Sequence, residues 1–252
     1  MMKFLKKYIQ NNIIRSILSF LVKLYNFLLG NILFTLLKRY AKIHTRLIKL
    51  SKWTLSKRSP SHYDHEINLY NWIYKPSITQ FVEPGFFARN LIKKGDKVLD
   101  LCSGDGFYTY LFLSELASSV DAIDISSENI KNSLKKYNRE NINYINADLI
   151  KYNLKKNNYD VIVWSEGIAY FNDSDRKIIY KNIINSLKAK GLLYIRTPLE
   201  ISQTYSANQV NVITDQELFE ESFNDFFDIK YKKLSEYRNR AYLNYYLTVK
   251  EK

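Results

Sequence analysis

The run from Val98 to Gly106, VLDLCSGDG, most constrains the fold of this chain. The residues from Lys97 to Leu101 predict a buried β-strand, because they form a short, mainly apolar run that ends at a glycine-containing loop. The apolar run from Phe107 to Leu116 predicts a helix directly after that loop. A strand, a glycine loop and a helix in this order present main-chain N–H groups to a ligand at the helix N-terminus. The run therefore predicts an α/β fold with a ligand site at the carboxyl end of this strand.

The acid at the end of this strand indicates the kind of ligand. Asp100 lies four residues before Gly104. A carboxylate at that point would repel a phosphate group, whereas it would attract a ligand that carries a positive charge. The loop is therefore better suited to a cationic ligand than to a phosphate.

Two further acids follow the ends of predicted strands. Ser118 to Ile125 predicts a second strand that contains Asp124 near its end, and Ser126 with Asn129 is typical of a helix start, followed by a helix from about Glu128 to Tyr137. An acid about 20 residues past a glycine loop can accept hydrogen bonds from both ribose hydroxyls of a nucleoside. A third strand is predicted from Tyr144, with Asp148 at its end.

Together, Asp100, Gly104 and Gly106 resemble motif I of the class I S-adenosylmethionine-dependent methyltransferases, which is acid-x-Gly-x-Gly-x-Gly. Cys102 stands at the position of the first glycine, so it must adopt the loop conformation without the freedom of glycine. A nicotinamide-binding domain is the nearest alternative. It prefers a glycine where Thr109 stands and no acid at position 100.

The resemblance implies a fold, because matches in the family's order extend over roughly residues 90–250. We expect a three-layer Rossmann-like α/β sandwich with a seven-stranded sheet of order 3-2-1-4-5-7-6, in which strand 7 is antiparallel, and an N-terminal helical extension. The later predicted elements are strands at Tyr159–Trp164 and Leu192–Arg196, the second after a turn at Lys188–Gly191, a helix at Asp215–Asn224, and a hairpin near Phe227–Leu234 and Ala241–Val249.

The resemblance also implies the cofactor, S-adenosyl-L-methionine, and its contacts. Asp100 would lie near the ammonium group, Asp124 would hold the ribose, Ile125 would pack on the adenine, and Asp148 with Leu149 would contact the edge of the adenine. The expected cofactor-binding residues are Asp100, Leu101, Cys102, Gly104, Gly106, Asp124, Ile125, Asp148, Leu149 and Trp164.

The acceptor side is less determined by the sequence. The segment from Trp164 to Phe171 should face the transferred methyl group, which makes Glu166 and Tyr170 the candidate catalytic residues, with His62 or His65 as further candidates for a base. Glu166 could instead cap a helix or form an ion pair. Arg196, with Thr197, could meet an anionic substrate or pair with a neighbouring acid.

The function that we expect is methyl transfer to an oxygen or nitrogen of a small-molecule, lipid or glycan acceptor. The alternative is a non-catalytic protein that keeps the fold and binds a membrane or a partner. Retention of Asp100, Gly104, Gly106 and Asp124 disfavours this alternative, since a scaffold has no need of them.

The charge distribution separates an N-terminal segment from the remainder. Residues 1–60 hold thirteen of the 38 Lys and Arg residues and no acid, while the other 25 basic residues are balanced by 25 acidic ones. We therefore expect no nucleic acid as the substrate, because a phosphate backbone favours a basic patch around the cleft. The single Cys is typical of a reducing cytoplasm, and with three His residues it makes a metal site improbable.

The N-terminal segment predicts a long apolar helix from Asn12 to Lys38 with a narrow polar stripe. A helix on an anionic membrane surface is the favoured interpretation, with the enzyme cytoplasmic and peripheral at the inner membrane face. A membrane span from Ser16 to Leu37 would bury Lys23, and packing on the protein's own domain or on a second subunit also stays open. A signal peptide is disfavoured because the apolar run is too long. The predicted organisation is 1–50 helical extension, 51–89 linker and aromatic-rich cap, and 90–252 methyltransferase domain; no feature indicates the oligomeric state.

Overall fold

The computed structural model describes residues 12–54, 79–199, 213–237 and 240–250. The chain divides into two compact units, residues 1–76 and residues 77–252. The second unit begins at residue 77, before the boundary expected at residue 90, because a helix at Thr79–Arg89 packs within it. Each unit is described by itself.

The first unit is represented by one helix, α1, at Asn12–Thr54. It extends beyond the predicted Lys38 without a break. Between Ile14 and Tyr40 it is long and apolar enough to cross a membrane, and none of that stretch is buried. The large apolar side chains from Ile17 to Tyr40 are all exposed.

The second unit is built on one seven-stranded sheet. The strand order is β3-β2-β1-β4-β5-β7-β6, and the pairs of β7 with β5 and β6 are antiparallel while the other pairs are parallel. This confirms the predicted sheet, including the antiparallel seventh strand. The strands are β1 Lys97–Leu101, β2 Ser119–Asp124, β3 Ile142–Asn146, β4 Tyr159–Ser165, β5 Leu187–Leu199, β6 Phe227–Tyr237 and β7 Arg240–Val249.

Four α-helices lie before or between these strands in the described part of this unit. Side-chain caps explain where three of them begin: Ser126 accepts from the main-chain N–H of Asn129, as predicted, and Asn172 and Asp215 cap the next two. The helices are α2 Thr79–Arg89, α3 Ser127–Lys136, α4 Asp173–Ser186 and α5 Gln216–Asn224.

Two local features differ from the sequence predictions. The helix after the glycine loop continues as a π-helical turn at Thr109–Leu113, which Ser114 N closes by donating to Thr109 O. The stretch Lys188–Gly191 is not a separate turn but part of β5, because the pairing with β4 shifts between Tyr159 and Val161 and so absorbs the extra residues.

The hydrophobic core lies between the sheet and its helices, because the central parallel strands are apolar on both faces. Leu99, Ile162 and Ile195, from β1, β4 and β5, are fully buried. The core continues into an aromatic cluster around Tyr180 of α4, which contacts Phe223 and Phe227 edge to face. This packing holds the carboxyl ends of β1, β2 and β4 at one edge of the sheet.

Candidate active site

The glycine loop follows β1 at this edge and has an uncommon main-chain conformation. Cys102, Gly104 and Gly106 all have positive φ angles, of 59°, 58° and 81°. The predicted demand on Cys102 is therefore confirmed, since this residue adopts the left-handed conformation that favours glycine. Ser103 N donates to Ile123 O at 2.9 Å, which ties the loop to β2.

Asp124, the last residue of β2, holds the glycine loop directly. Its Oδ2 accepts a hydrogen bond from Gly104 N at 2.9 Å. Its Oδ1 accepts from Ser126 N at 2.9 Å and from Asn129 Nδ2 at 3.2 Å. This carboxylate therefore links the loop, the end of β2 and the start of α3, and it is almost fully buried.

Asp100 precedes the glycine loop and accepts a hydrogen bond from the helix that follows the loop. The Thr109 hydroxyl donates to Asp100 Oδ2 at 2.6 Å. Burial raises the pKa of Asp100 to about 7; the hydrogen bond from Thr109 opposes this rise, and the charge of Asp124 adds to it. A buried carboxyl that titrates near neutral pH is a candidate for a functional group.

The second glycine of the loop is closely surrounded. A Cβ on Gly106 would lie 2.6 Å from Tyr144 Oη and 2.9 Å from Ser133 Oγ. Only glycine fits there, which explains its position between β3 and α3.

The Ser103 hydroxyl is buried without a hydrogen-bond partner among the described residues, so a polar group is left at the loop for a ligand.

The end of β3 is joined to the end of β2 by hydrogen bonds from the side chain of Asn146 to main-chain oxygens. Asn146 Nδ2 donates to Asp124 O at 3.0 Å and to Ile125 O at 2.9 Å. Ile125 is 72% exposed although it is apolar. Asp148 lies two residues beyond β3, where its Oδ1 accepts from Ile150 N at 3.0 Å. An exposed apolar side chain and an acid thus stand at neighbouring strand ends.

Three of the predicted cofactor residues have apolar side chains that are buried in the core. Leu101, Leu149 and Trp164 all belong to the hydrophobic core. The ring of Trp164 packs edge to face on Phe171 and Tyr180. These side chains support the strand ends from within the core.

Glu166, directly after β4, forms an ion pair with Arg196, which lies in β5. The pair rests on the register of the sheet, because Glu166 N also donates to Arg196 O at 2.7 Å. The Arg196 guanidinium is buried and lies 3.6 Å from the centre of the Tyr242 ring, a cation–π contact. The structure therefore supports the ion-pair interpretation of Glu166 and the pairing of Arg196 with a neighbouring acid. Glu166 is the more exposed partner.

The segment after Glu166 touches the glycine loop. Glu166 has a positive φ of 62°, and a Cβ on Gly167 would lie 2.4 Å from Cys102 Cβ. The other candidate, Tyr170, ends the 3₁₀ turn Gly167–Tyr170 and is 55% exposed. His62 and His65 lie outside the described residues.

Three features of the site escaped the sequence analysis. They are the bond of Thr109 to Asp100, the bond of Asn129 to Asp124, and the ring of Tyr242 beneath Arg196. Thr109 and Asn129 both lie in the first turn of a helix that follows a strand-end acid. A polar residue at such a position is a local signal for a hydrogen bond to that acid. Tyr242 is distant in sequence, and nothing local indicates its contact.

A comparison with protein families gives one match on this unit. Residues 98–191 match the family model described as a methyltransferase domain. The matched range begins in β1 and ends within β5, so it includes the glycine loop, Asp124, Asp148 and Glu166. No curated protein matches the sequence at a significant level.

Solved structures share the fold at low sequence identity. A SAM-dependent methyltransferase from Leishmania major aligns with a TM-score of 0.60 at 17% identity, covering 70% of this chain and 76% of that one. A SAM-dependent methyltransferase from Aquifex aeolicus aligns at 0.56 and 19%, covering 71% and 96%. A [4+2]-cyclase aligns at 0.56 and 10%, covering 66% and 80%. At these identities the likeness demonstrates the fold.

Proposed function

Because residues 98–191 form a methyltransferase-family domain on the class I fold, we propose that the chain transfers a methyl group from S-adenosyl-L-methionine to an oxygen or nitrogen of an acceptor. The acceptor is a small molecule, a lipid or a glycan. The cofactor supplies the electrophile, a methyl group on a sulfonium, so the protein's task is binding and alignment.

The observation that carries this proposal is the position of Asp124 between the glycine loop and the exposed Ile125. The carboxylate there is suited to accept a hydrogen bond from a ribose hydroxyl at Oδ2, which accepts only from Gly104 N among the described residues, whereas Oδ1 already accepts two hydrogen bonds. The Ile125 side chain offers an apolar surface to a planar base. Asp148, on the loop after β3, is suited to accept from an exocyclic amino group.

Asp100 supports a cationic group in the same ligand. Its buried carboxyl has a pKa of about 7, so a bound ammonium group would stabilise the ionised form that burial disfavours. The buried Ser103 hydroxyl offers a further polar contact at the loop. A loop with a strand-end acid, rather than a phosphate site, is what a sulfonium cofactor with an amino-acid end requires.

Glu166 is proposed to orient the acceptor rather than to act as a strong base. Its Oε1 is paired with the buried Arg196, and that pairing favours the carboxylate form. The paired carboxylate remains able to accept a hydrogen bond from a hydroxyl or a neutral amine of the acceptor. Tyr170, exposed at the end of the following turn, is a second candidate for contact with the acceptor.

A non-catalytic role is the second candidate, because the fold by itself does not establish methyl transfer. A [4+2]-cyclase shares the fold, so the fold alone does not decide the chemistry. Binding of the cofactor without methyl transfer to any acceptor would support this second candidate.

Calorimetric titration with S-adenosylmethionine tests the cofactor site. We expect Asp124→Asn to weaken binding at least tenfold, because an amide both lacks the charge and donates where Gly104 N needs an acceptor. The matched control is Asp225→Asn, an exposed acid before β6 at the opposite edge of the sheet. Absence of binding by the wild-type chain, or equal affinities of both variants and wild type, would overturn the proposal.

Methyl transfer is tested with the labelled cofactor and a cell lysate separated into lipid, glycan, protein and small-molecule fractions. We expect label in one of the non-protein fractions, together with S-adenosylhomocysteine. Glu166→Gln should raise KM for the acceptor more than it lowers kcat if this residue orients the acceptor. A loss confined to kcat would instead assign it as a base.

A further inference from the structure

The exposed helix α1 of the first unit is not used by the proposed methyl transfer. Its stretch from Ile14 to Tyr40 contains 27 residues, about 40 Å at 1.5 Å per residue. A bilayer has a hydrocarbon core about 30 Å thick, which takes roughly 20 apolar residues to cross. The length is therefore sufficient for a span with some tilt.

The apolar surface of this helix is not confined to one face. Three triplets of consecutive apolar residues lie in it, and each triplet covers about 200° of the circumference because successive residues are about 100° apart. The side chains of all three triplets are exposed. A helix lying in the membrane interface buries only one face, so it would leave part of each triplet in water. The triplets are Phe20–Val22, Phe27–Leu29 and Ile32–Phe34.

The stretch from Ile14 to Tyr40 has few polar residues, and some of their polar groups make contacts within the helix. Asn31 Nδ2 donates to Phe27 O at 2.6 Å, so one N–H of its amide is bonded within the helix. Lys38 lies 4.6 Å from the centre of the Phe34 ring at the end of the stretch. Lys23 is the only charged residue between Ser16 and Leu37, and Ser19 and Asn26 lie one turn before and after it on the same side.

The flanks of the stretch carry an asymmetric positive charge. Eight Lys and Arg residues lie from Lys38 to Arg58, while four lie from Lys3 to Arg15, and no acid occurs before Asp64. Loops rich in Lys and Arg stay on the cytoplasmic side of a membrane, where anionic lipids also attract them. The more basic flank is the one that leads to the second unit.

We propose that residues 14–40 span a lipid bilayer, with the methyltransferase unit on the cytoplasmic side. The occupant of the exposed apolar surface is thus the hydrocarbon interior, around most of the circumference. This differs from the interfacial helix favoured by the sequence analysis, because the apolar side chains leave only the narrow polar stripe of Ser19, Lys23 and Asn26 uncovered. The inference does not rest on the methyl-transfer activity.

The test uses the full chain in a bacterial expression host. We expect the uncleaved chain in the membrane fraction, and we expect it to stay there after washing with alkaline carbonate. Release by carbonate would assign an interfacial helix, recovery in the soluble fraction would assign packing on protein, and a shortened N-terminus would assign a cleaved signal. Each of these three results overturns the proposal.

Two substitutions separate a span from an interfacial helix. Lys23→Leu should leave the carbonate-resistant fraction unchanged or larger, whereas an interfacial helix would lose attraction to anionic lipid. Asn26→Arg, on the polar stripe, should reduce the resistant fraction severalfold, because it places a second cation in the hydrocarbon layer. An interfacial helix would tolerate Asn26→Arg, so an unchanged resistant fraction for this variant contradicts a span. The thermal unfolding of the second unit in detergent should be the same for both variants, since neither residue belongs to it.

The orientation is tested by labelling intact spheroplasts with a membrane-impermeant maleimide. Lys3→Cys should react in intact spheroplasts, and Lys252→Cys should react only after permeabilisation. The wild-type chain, with Cys102 as its one thiol, is the blank. The reverse pattern contradicts the orientation.

Discussion

The Thr109 hydroxyl donates a hydrogen bond to Asp100 Oδ2 at 2.6 Å, across the glycine loop that separates the two residues in the chain. This bond is the contact within the described structure that favours the ionised form of a carboxyl which burial would keep protonated. Burial and the charge of Asp124 raise the pKa of Asp100, and the Thr109 hydroxyl opposes them.

Asp100→Asn should stabilise the cofactor-free protein at high pH. The carboxyl has a pKa of about 7 in the folded state against an ordinary 3.8, so the folded state binds the proton more tightly and stability falls as pH rises between these values. The variant removes this penalty, which is on the order of 4 kcal/mol above pH 7 and shrinks toward zero near pH 4. Urea unfolding at pH 4, 6 and 8 measures the difference in free energy of unfolding between the variant and the wild type. A stabilisation that does not depend on pH would contradict the raised pKa.

Thr109→Val should move the pH dependence of cofactor affinity to higher pH. Without the hydroxyl, Asp100 loses the bond that lowers its pKa, so a higher pH is needed to ionise it. We expect affinity for S-adenosylmethionine to fall by up to tenfold per pH unit below the pKa, with the midpoint displaced upward in the variant. Calorimetry from pH 6 to 9 follows this shift. Thr109→Ser is the matched control, because it keeps the hydroxyl; the same displacement in both variants would rule out the hydrogen bond as the cause.

Gly167→Ala should disturb the glycine loop, and Cys102→Gly should restore it. A Cβ at position 167 would lie 2.4 Å from Cys102 Cβ, closer than van der Waals contact permits. We expect the single variant to lose several kcal/mol of stability. Adding Cys102→Gly removes the opposing atom and also relieves a positive φ of 59°. Thermal unfolding of both single variants and the double variant measures the coupling; additive effects would contradict the contact.

Arg196→Lys should destabilise the protein although it keeps the charge. The guanidinium both pairs with Glu166 and stacks on the Tyr242 ring, and an ammonium group cannot reproduce both contacts. Leaving Glu166 poorly paired should lower the free energy of unfolding by about 1–3 kcal/mol. Chemical denaturation is the measurement. Lys188→Arg, in an ion pair with Asp160, is the control and should change stability by less than about 0.5 kcal/mol.

The strands and the strand-end acids could be predicted from the sequence because they depend on local patterns, and the resemblance to the methyltransferase family implied the order of the sheet. Apolar runs, glycines and helix caps repeat over a few residues, so Asp100, Asp124 and the loop between them were identified without coordinates. The hairpin that completes the sheet was predicted in the same way, and the structure confirms its antiparallel pairing.

The specific partners of Arg196, which pairs with Glu166 and stacks on the Tyr242 ring, could not be predicted. They depend on the register between β4, β5 and β7. A shift of one residue in that register would turn Arg196 to the other face of the sheet. The predicted turn at Lys188–Gly191 was wrong for a related reason, since pairing with β4 draws these residues into β5.

The sequence by itself determined which groups this protein brings to one edge of its sheet, at the ends of β1 and β2: the acids, the glycines and the apolar residue beside them. The tertiary structure decided how those groups are held. Burial of Asp100 raises its pKa, Asp124 is engaged by Gly104 and Asn129, and Glu166 is paired with Arg196. Residue types are local properties, whereas desolvation and partners arise only when distant segments pack together.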